Sequence, residues 1–187
     1  MQPPPFVPAI SSWQTVPLRT RLGDCLHVFP TDPQRPEHLD VSADNAKLSK
    51  RAIDAFMALA PEVPCCLFGA KILVHNPEYG SVEKRARHVS HFRDRRSGQY
   101  HPDEDKCRWL PCIPATLLYA AAVFDDFQDK TVIFARKYVT GGIHFVIVKP
   151  VTSGFQRDQL SGYLVTQFSF QKDQRQETFR LRWKRPK

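Results

Sequence analysis

The sequence predicts an α+β fold in which N-terminal helices and a proline-rich arm pack on a C-terminal four-stranded antiparallel sheet. Before Asp129 the apolar residues recur at helical spacing, whereas after it they alternate at the period of a β-strand. The strand-like segments are joined by short linkers, which favours antiparallel pairing. Helices that precede a run of strands are typical of the α+β class.

Length and composition are those of an ordinary globular protein. The chain has 187 residues, of which 42% are hydrophobic and 25% charged, enough for one domain with a sizeable core. We therefore expect a proline-rich arm over residues 1–39 and a single domain over residues 40–187.

The N-terminal arm is predicted from its prolines, which occur in QPPPFVP and FPTDPQRP. Proline fixes φ and removes a hydrogen-bond donor, so the arm should be extended. It has room for at most short strands at Trp13 to Leu18 and Cys25 to Phe29. The arm either packs on the core through its aromatic side chains or docks onto a partner.

The first helix is predicted over Asp40 to Leu59. Ser42 or Asp44 can cap its N-terminus, and Pro61 stops the helical pattern. The apolar segment that follows, Cys66 to His75, is predicted as a strand or as a buried turn of helix.

Two more helices are predicted before the strands begin. Ser81 can cap a helix over Ser81 to Arg96, with the sequence SVEKRARHVSHFRDRR and an apolar stripe along one side. Between Cys107 and Phe127, a second apolar helix is expected to start near Pro114, because proline is tolerated in the first helical turn.

Four segments after Asp129 carry the strand pattern: Thr131 to Tyr138, Ile143 to Lys149, Tyr163 to Phe170 and Glu177 to Lys184. The last shows the clearest alternation, since apolar residues in FRLRWK alternate with arginine and lysine. One face of this strand should therefore pack on the core while the other is strongly basic.

The net charge of +8 is concentrated in residues 71–100 and 131–187. Clustered cations produce additive fields, which favours a polyanionic partner, nucleic acid first. A solvated basic surface that keeps the protein soluble explains the composition equally well.

Membrane and secreted classes are not expected. No apolar run has the length of a membrane span, and Met1 to Ser12 lacks the basic start and apolar middle of a signal peptide. The five cysteines are odd in number and lack disulfide spacing, which is typical of reduced thiols. We expect a cytoplasmic location, in the producing cell or in a target cell, and no membrane partner.

A zinc site is the alternative use of the thiols. His88 and His91 share a helix face, and Cys107 and Cys112 follow on a later segment. Their spacing matches no established zinc pattern, so buried thiols are favoured and no metal or cofactor is expected.

Five stretches in order, RARHVSHFRDRR, LPCIPATLLYAAAVFDD, FARKY, HFVIVKP and GYLVTQFSF, resemble a known family. It is the phage-associated branch of the barnase, EndoU, colicin and RelE superfamily of toxin ribonucleases. The resemblance covers about Ser81 to Phe170 and implies a nuclease-like core over about residues 81–187. It also implies helices packed on a four-stranded antiparallel sheet and metal-free RNA cleavage with the 2′-hydroxyl as the attacking group.

Cleavage of this kind needs a base, an acid and cations around the phosphorane-like transition state. Histidine suits the first two tasks because its pKa lies near neutrality. The residues that match the resemblance are His88 and His91 on the helix, Arg136 and Lys137 on the first strand, and Thr166 on the third.

The two strand cations cannot share a pocket, because successive strand residues face opposite ways. Arg136 shares a face with bulky apolar residues, so Lys137 is the favoured candidate. His144 is a further candidate acid or base, but a histidine among valines is more often structural.

These patterns lead to three candidate functions. The first is an RNA endonuclease, acting as a toxin or phage-delivered effector on tRNA or another structured RNA, with RNA and an acidic immunity or host protein as partners. The predicted nucleic-acid-binding cations are Arg85, Arg95, Arg96, Arg180, Arg182 and Lys184. The alternative is a non-catalytic basic adaptor that binds nucleic acid or inhibits a host protein. A metal-dependent hydrolase, using acids of HPDEDK and FDDFQD, is third.

Overall fold

The computed structural model describes residues 19–67, 71–75, 80–126, 130–139, 142–150, 162–170 and 178–185. The described helices are α1 (Leu22–Cys25), α2 (Asn45–Met57), α3 (Val82–Ser90), α4 (Glu104–Trp109) and α5 (Ile113–Leu118). The described strands are β1 (Arg19–Arg21), β2 (Glu62–Pro64), β3 (Lys71–Leu73), β4 (His91–Arg93), β5 (Tyr100–Pro102), β6 (Ala122–Asp126), β7 (Thr131–Tyr138), β8 (Gly142–Pro150), β9 (Gly162–Phe170) and β10 (Thr178–Lys184).

Eight of the strands form one mixed sheet in the order β1-β10-β6-β7-β8-β9-β3-β2. Neighbouring strands are antiparallel except β3 and β9, which are parallel. β4 and β5 form a separate two-stranded sheet. The predicted α+β fold with a four-stranded antiparallel sheet is therefore wrong. The four predicted strands exist, but four further strands join them and the molecule is mostly sheet.

The strand most clearly missed is β6, which was assigned to a helix. Ala122, Val123 and Phe124 are all buried, so the segment shows no alternation that would distinguish a strand from a buried helix. β6 pairs with β7 on one side and with β10 on the other, which places β10 far from β9 in the sheet. The strands therefore do not follow one another as a simple meander.

The N-terminal segment differs from its prediction. β1 pairs with β10 at one edge of the large sheet. Cys25 ends the short helix α1 and does not begin a strand, because Leu22 and Cys25 both turn into the core. The strand predicted at Trp13 to Leu18 lies outside the described residues, and the domain boundary predicted after residue 39 stays a prediction.

The first predicted helix is confirmed. It is α2, and the Asp44 side chain caps it by accepting a hydrogen bond from the backbone N–H of Lys47 at 2.9 Å. Cys66 to His75 contains the short strand β3, one of its two predicted alternatives.

The second predicted helix begins as expected but ends early. Ser81 caps α3 through the N–H of Lys84 at 3.2 Å. At His91 the backbone becomes extended, with φ −121° and ψ 161°, and the chain enters β4. A tight turn with Gly98 at φ +69° then returns the chain as β5.

The third predicted helix is broken into pieces. α4 is followed by a 3-10 turn at Leu110–Cys112 and then by α5. Pro111 and Pro114 each lie in the first turn of a new helical piece, where the missing N–H costs no hydrogen bond. The longest described helix has 13 residues, and none in that part of the chain combines the length and hydropathy of a membrane span.

Both faces of the central strands are buried. Val132, Phe134 and Val146 pack in the larger core with α2, α3 and α5, whereas Ala135 and Phe145 pack in a second core with α1. This two-sided burial explains why β7 and β8 read as nearly continuous apolar runs. It also explains why Arg136 and His144, two polar residues in the middle of these strands, lie inside the protein.

Candidate functional site

The candidate site is a cleft of about 620 Å³ between α3 and the strands β7 to β9. Its described walls are formed by α3 (Lys84, Arg85 and His88), by β5 (Tyr100) and by the sheet (Thr131, Ile147, Lys149, Tyr163, Val165 and Thr166). Three residues predicted from the sequence, Arg85, His88 and Thr166, therefore meet in one cleft.

Helical spacing places three side chains of α3 on the side that faces the cleft. Lys84 and His88 are four residues apart, and Arg85 and His88 are three apart, so all three lie on one side of the helix. Arg85 is only 6% exposed, and its Nη2 donates a hydrogen bond to the backbone oxygen of Val165 at 3.2 Å. This contact ties the helix to β9 and holds a guanidinium at the cleft wall.

The sheet side of the cleft is shaped by an irregularity between β8 and β9. Lys149 is the register partner of Tyr163 and Ile147 that of Thr166, with a register shift between Ile147 and Val148. Gly162 is the register partner of Pro150, at the end of β8. A Cβ there would be 2.6 Å from the backbone oxygen of Lys149, so only glycine fits without displacing that strand.

The cleft is electropositive. Lys84, Arg85 and Lys149 contribute three cations, and the lining within the described part of the chain contains no carboxylate. The buried Oγ1 of Thr131 makes no hydrogen bond with any described residue, and such a group needs a polar partner. These features suit an anionic ligand.

His88 is the imidazole of this lining. Partial burial lowers its pKa from 6.5, and the nearby charges of Arg85 and Lys106 lower it further. The ring is therefore neutral at pH 7 and able to accept a proton.

His91 lies outside the described lining of the cleft. It is buried between α2 and α3, with Nε2 2.8 Å from the Ser49 hydroxyl and Nδ1 2.7 Å from the Ser90 hydroxyl. Burial, with a smaller contribution from Arg87, lowers its pKa to about 4. Its contacts are those of a structural residue that joins the two helices.

Arg136 is also buried, on the side of β7 that packs against α5. Its guanidinium donates to the backbone oxygens of Pro33 and Ala115 and lies 4.4 Å from the centre of the Tyr138 ring. It therefore fastens the N-terminal segment and α5 to the sheet. Lys137 faces the other side, is half-buried, and is not part of the described cleft lining.

His144, opposite Arg136 in the register, is fully buried in a polar network. Its Nδ1 lies 2.7 Å from the Thr116 hydroxyl and its Nε2 2.8 Å from Oε1 of Gln167, while Trp109 stacks on the ring at 5.1 Å. Burial lowers its pKa to about 3 despite the opposing effect of the Gln167 hydrogen bond. The burial gives it a structural role.

The other predicted cations are spread over two places. Arg95 and Arg96 are exposed on the turn between β4 and β5. Arg180, Arg182 and Lys184 lie on β10, which is two strand spacings, or about 10 Å, from β7, the nearest strand of the cleft. None of the three belongs to the described lining of the cleft.

The β10 cations have contacts of their own. Arg182 forms an ion pair with the buried carboxylate of Asp125, and Lys184 donates to the backbone oxygen of Asp24. Arg180 is exposed and faces Arg19 of β1 in the register.

Sequence reasoning missed Lys84, Tyr100, Lys149 and Tyr163 as site residues. Lys149 carried a usable signal, because it is a single cation at the end of the apolar strand HFVIVKP. Tyr100 and Tyr163 had none, since their place in the cleft depends on β5 and β9 meeting α3.

The alternative zinc site does not assemble. Within the described ranges no group of three histidine, cysteine or acidic side chains is close enough to hold a metal ion. Cys107 donates its S–H to the backbone oxygen of Ser90, and Cys112 donates to the backbone oxygen of Glu37, each at 3.2 Å. Burial raises both thiol pKa values to about 12, so both remain protonated.

No family model, curated protein or solved structure matches the chain. The resemblance to toxin ribonucleases and the catalytic roles that it implies therefore stay predictions. The geometry of the cleft is the basis on which a function can be proposed.

Proposed function

We propose that the cleft binds an RNA strand and cleaves it through the 2′-hydroxyl, without a metal ion. The observation that carries this proposal is the meeting of His88, Arg85 and Thr166 with Lys149 in one electropositive cleft. These groups come from a helix and two strands, and each has the chemistry that phosphodiester cleavage needs.

His88 is the proposed base, because its lowered pKa keeps it neutral at pH 7. Arg85 and Lys149 lie on opposite walls and would stabilise the charge that develops on the phosphate oxygens. The Thr166 hydroxyl would donate a hydrogen bond to the same group. The ammonium groups of Lys84 and Lys149 are the proposed proton donors for the leaving 5′-oxygen.

The described lining supports a route in which side chains move the protons. Magnesium is usually held by carboxylates and by substrate phosphates, and no carboxylate is present among the described lining residues. Tyr100 and Tyr163 add two aromatic rings, on which a base could stack.

A second function, RNA binding without cleavage, is favoured by one observation. His91 and His144 are both buried, so the described cleft contains a single imidazole. A binding protein would use the same cations and tyrosines but would have no need of His88 as a base.

To test the proposal, purified protein is incubated in EDTA with total RNA and, separately, with a short RNA oligonucleotide. We expect cleavage by the wild type, loss of cleavage in His88→Gln, and normal cleavage in His38→Gln, a matched change at an exposed histidine outside the lining. RNA that stays intact while a control ribonuclease works contradicts the nuclease proposal. Oligonucleotide binding that survives in His88→Gln, without any wild-type cleavage, supports the binding function.

A further inference from the structure

The β4–β5 hairpin presents an aromatic side chain to solvent on each of its two faces. Phe92 is 50% exposed and Tyr100 is 42% exposed. Tyr100 also lines the cleft, so the hairpin is continuous with the proposed active site. Large exposed aromatic rings next to a binding site are typical of surfaces that receive a partner.

The two faces of the hairpin differ. Phe92 pairs with His101 across the strands, and their rings stack with centroids 5.6 Å apart and an interplanar angle of 29°. Arg93 pairs with Tyr100 on the other face. The stack with His101 leaves half of the Phe92 side chain exposed and free to contact a further ring.

The hairpin is held in a fixed shape. The Asp94 carboxylate accepts hydrogen bonds from the Arg96 N–H at 2.8 Å and from the Ser97 hydroxyl at 2.9 Å, which closes the turn. At the base, the buried His91 anchors the hairpin to Ser49 of α2. A rigid platform loses little conformational entropy when a ligand binds.

The charge on the hairpin identifies the chemistry of its ligand. Arg93, Arg95 and Arg96 are exposed, and the only acidic residue between His91 and Pro102 is the turn-closing Asp94. Cations combined with exposed aromatic rings are the means by which proteins bind single-stranded nucleic acids, through phosphate contacts and base stacking.

We propose that the β4–β5 hairpin is a stacking platform for an unpaired base of the RNA strand that occupies the cleft. Phe92 stacks on the base, and Arg95 and Arg96 contact the adjoining phosphates. Tyr100 lies on the opposite face and lines the cleft, so the strand passes around the hairpin between the base on Phe92 and the nucleotide held near His88. The assignment of RNA as the ligand rests on the proposed function, and it makes single-stranded RNA the substrate form at this position.

The test measures affinity separately from cleavage. A fluorescent 2′-deoxy oligonucleotide keeps the bases and phosphates but lacks the attacking hydroxyl, so fluorescence anisotropy reports binding alone. Phe92→Ala is expected to weaken binding about 10-fold, the loss typical of one base stack. Phe92→Tyr keeps the ring and should bind like the wild type. Met57→Ala, a change at a 55% exposed apolar residue on α2, is the matched surface control.

A second measurement locates the stacked base. Single abasic positions are placed along the oligonucleotide, and each is combined with Phe92→Ala. At one position the two losses should not add, because both remove the same stack. Losses that add at every position overturn the platform.

The outcomes separate the two proposals. Unchanged affinity in Phe92→Ala overturns the platform, whether or not His88-dependent RNA cleavage is observed. An oligonucleotide that the wild type does not bind also overturns it and leaves the hairpin as a surface for a protein partner. RNA left intact in EDTA, together with a 10-fold loss in Phe92→Ala, overturns only the cleavage proposal.

Discussion

Lowering the pH from 7 to 5 should destabilise the fold strongly, because two histidines are buried in their neutral form. His144 and His91 have pKa values lowered from 6.5 to about 3 and about 4, mainly by burial. The pKa of each histidine is lower in the folded protein than in the unfolded chain. At a pH between the two pKa values, the unfolded chain therefore binds more protons than the folded one. Stability is therefore full above pH 6.5 and is lost as the pH falls below it.

The magnitude follows from proton binding in the unfolded state. A solution at pH 5 is about 1.5 pH units below the pKa of histidine in the unfolded chain. Protonation of one such imidazole therefore favours unfolding by about 2 kcal/mol. In the folded protein neither histidine takes up a proton at pH 5, because both pKa values lie about a unit or more below this pH. The two together give a loss of about 4 kcal/mol, a large part of the stability of a domain of ordinary size.

The hydrogen bonds of His144 support its neutral state. Gln167 donates through Nε2 to the Lys106 oxygen at 2.6 Å, which orients its Oε1 toward Nε2 of His144 as an acceptor. Nδ1 of His144 then accepts from the Thr116 hydroxyl. A second proton on the ring would remove this acceptor and place an uncompensated charge in the core.

The assay is urea unfolding followed by circular dichroism at pH 7 and pH 5. His144→Gln removes the titrating group, so its loss between the two pH values should be about 2 kcal/mol smaller than that of the wild type. His91→Gln should show a similar reduction. A pH dependence in His144→Gln equal to that of the wild type would refute the reasoning, because His144 would then be open to protons in the folded protein.

Four further predictions address the site, the buried arginine, the glycine and the thiols. Because burial and Arg85 lower the pKa of His88 from 6.5, RNA cleavage should rise with pH and have its midpoint below pH 6.5. Initial rates in EDTA with a midpoint above that pH would contradict the role of His88 as base. Arg136→Met removes a buried cation from two backbone acceptors and should lower the free energy of unfolding by about 3 kcal/mol. Lys137→Met, at a half-buried position, should change it by less than about 1 kcal/mol. Equal effects of the two substitutions in urea unfolding would count against the structural role of the arginine. Gly162→Ala places a Cβ 2.6 Å from a backbone oxygen and should cost about 1–3 kcal/mol, so a thermal midpoint equal to that of the wild type would be inconsistent with the close approach. All five cysteines are buried, and a thiol reagent at pH 8 should label them only after unfolding; rapid labelling of the native protein would show that a thiol is accessible.

Local periodicity was enough to predict several elements. The first helix, with its Asp44 cap, and the strands β7 to β10 all appear close to their predicted positions. Their patterns depend on which side of each element meets the core, and that information is contained within a few consecutive residues. β6 was missed for the same reason, because burial on both faces removes the alternation.

The candidate site was predicted only in part. Arg85, His88 and Thr166 were named from the sequence and do meet in the cleft, but Lys149 and Tyr163 were not named. Their contribution depends on the register between β8 and β9, which is set by contacts between residues far apart in the chain.

The sequence alone determined the local elements, the basic character of the chain and the residue types available for chemistry. Only the tertiary structure decided which cations are functional candidates. Arg136 and His144 have the same chemistry as Arg85 and His88, yet their partners, Pro33 and Thr116, hold them outside the described lining of the cleft. Arg85 is buried as well, but its bond to the backbone of Val165 holds it at the cleft wall. A charged or titratable side chain is stable inside a protein only when such partners satisfy it, and their presence follows from the packing of the whole chain.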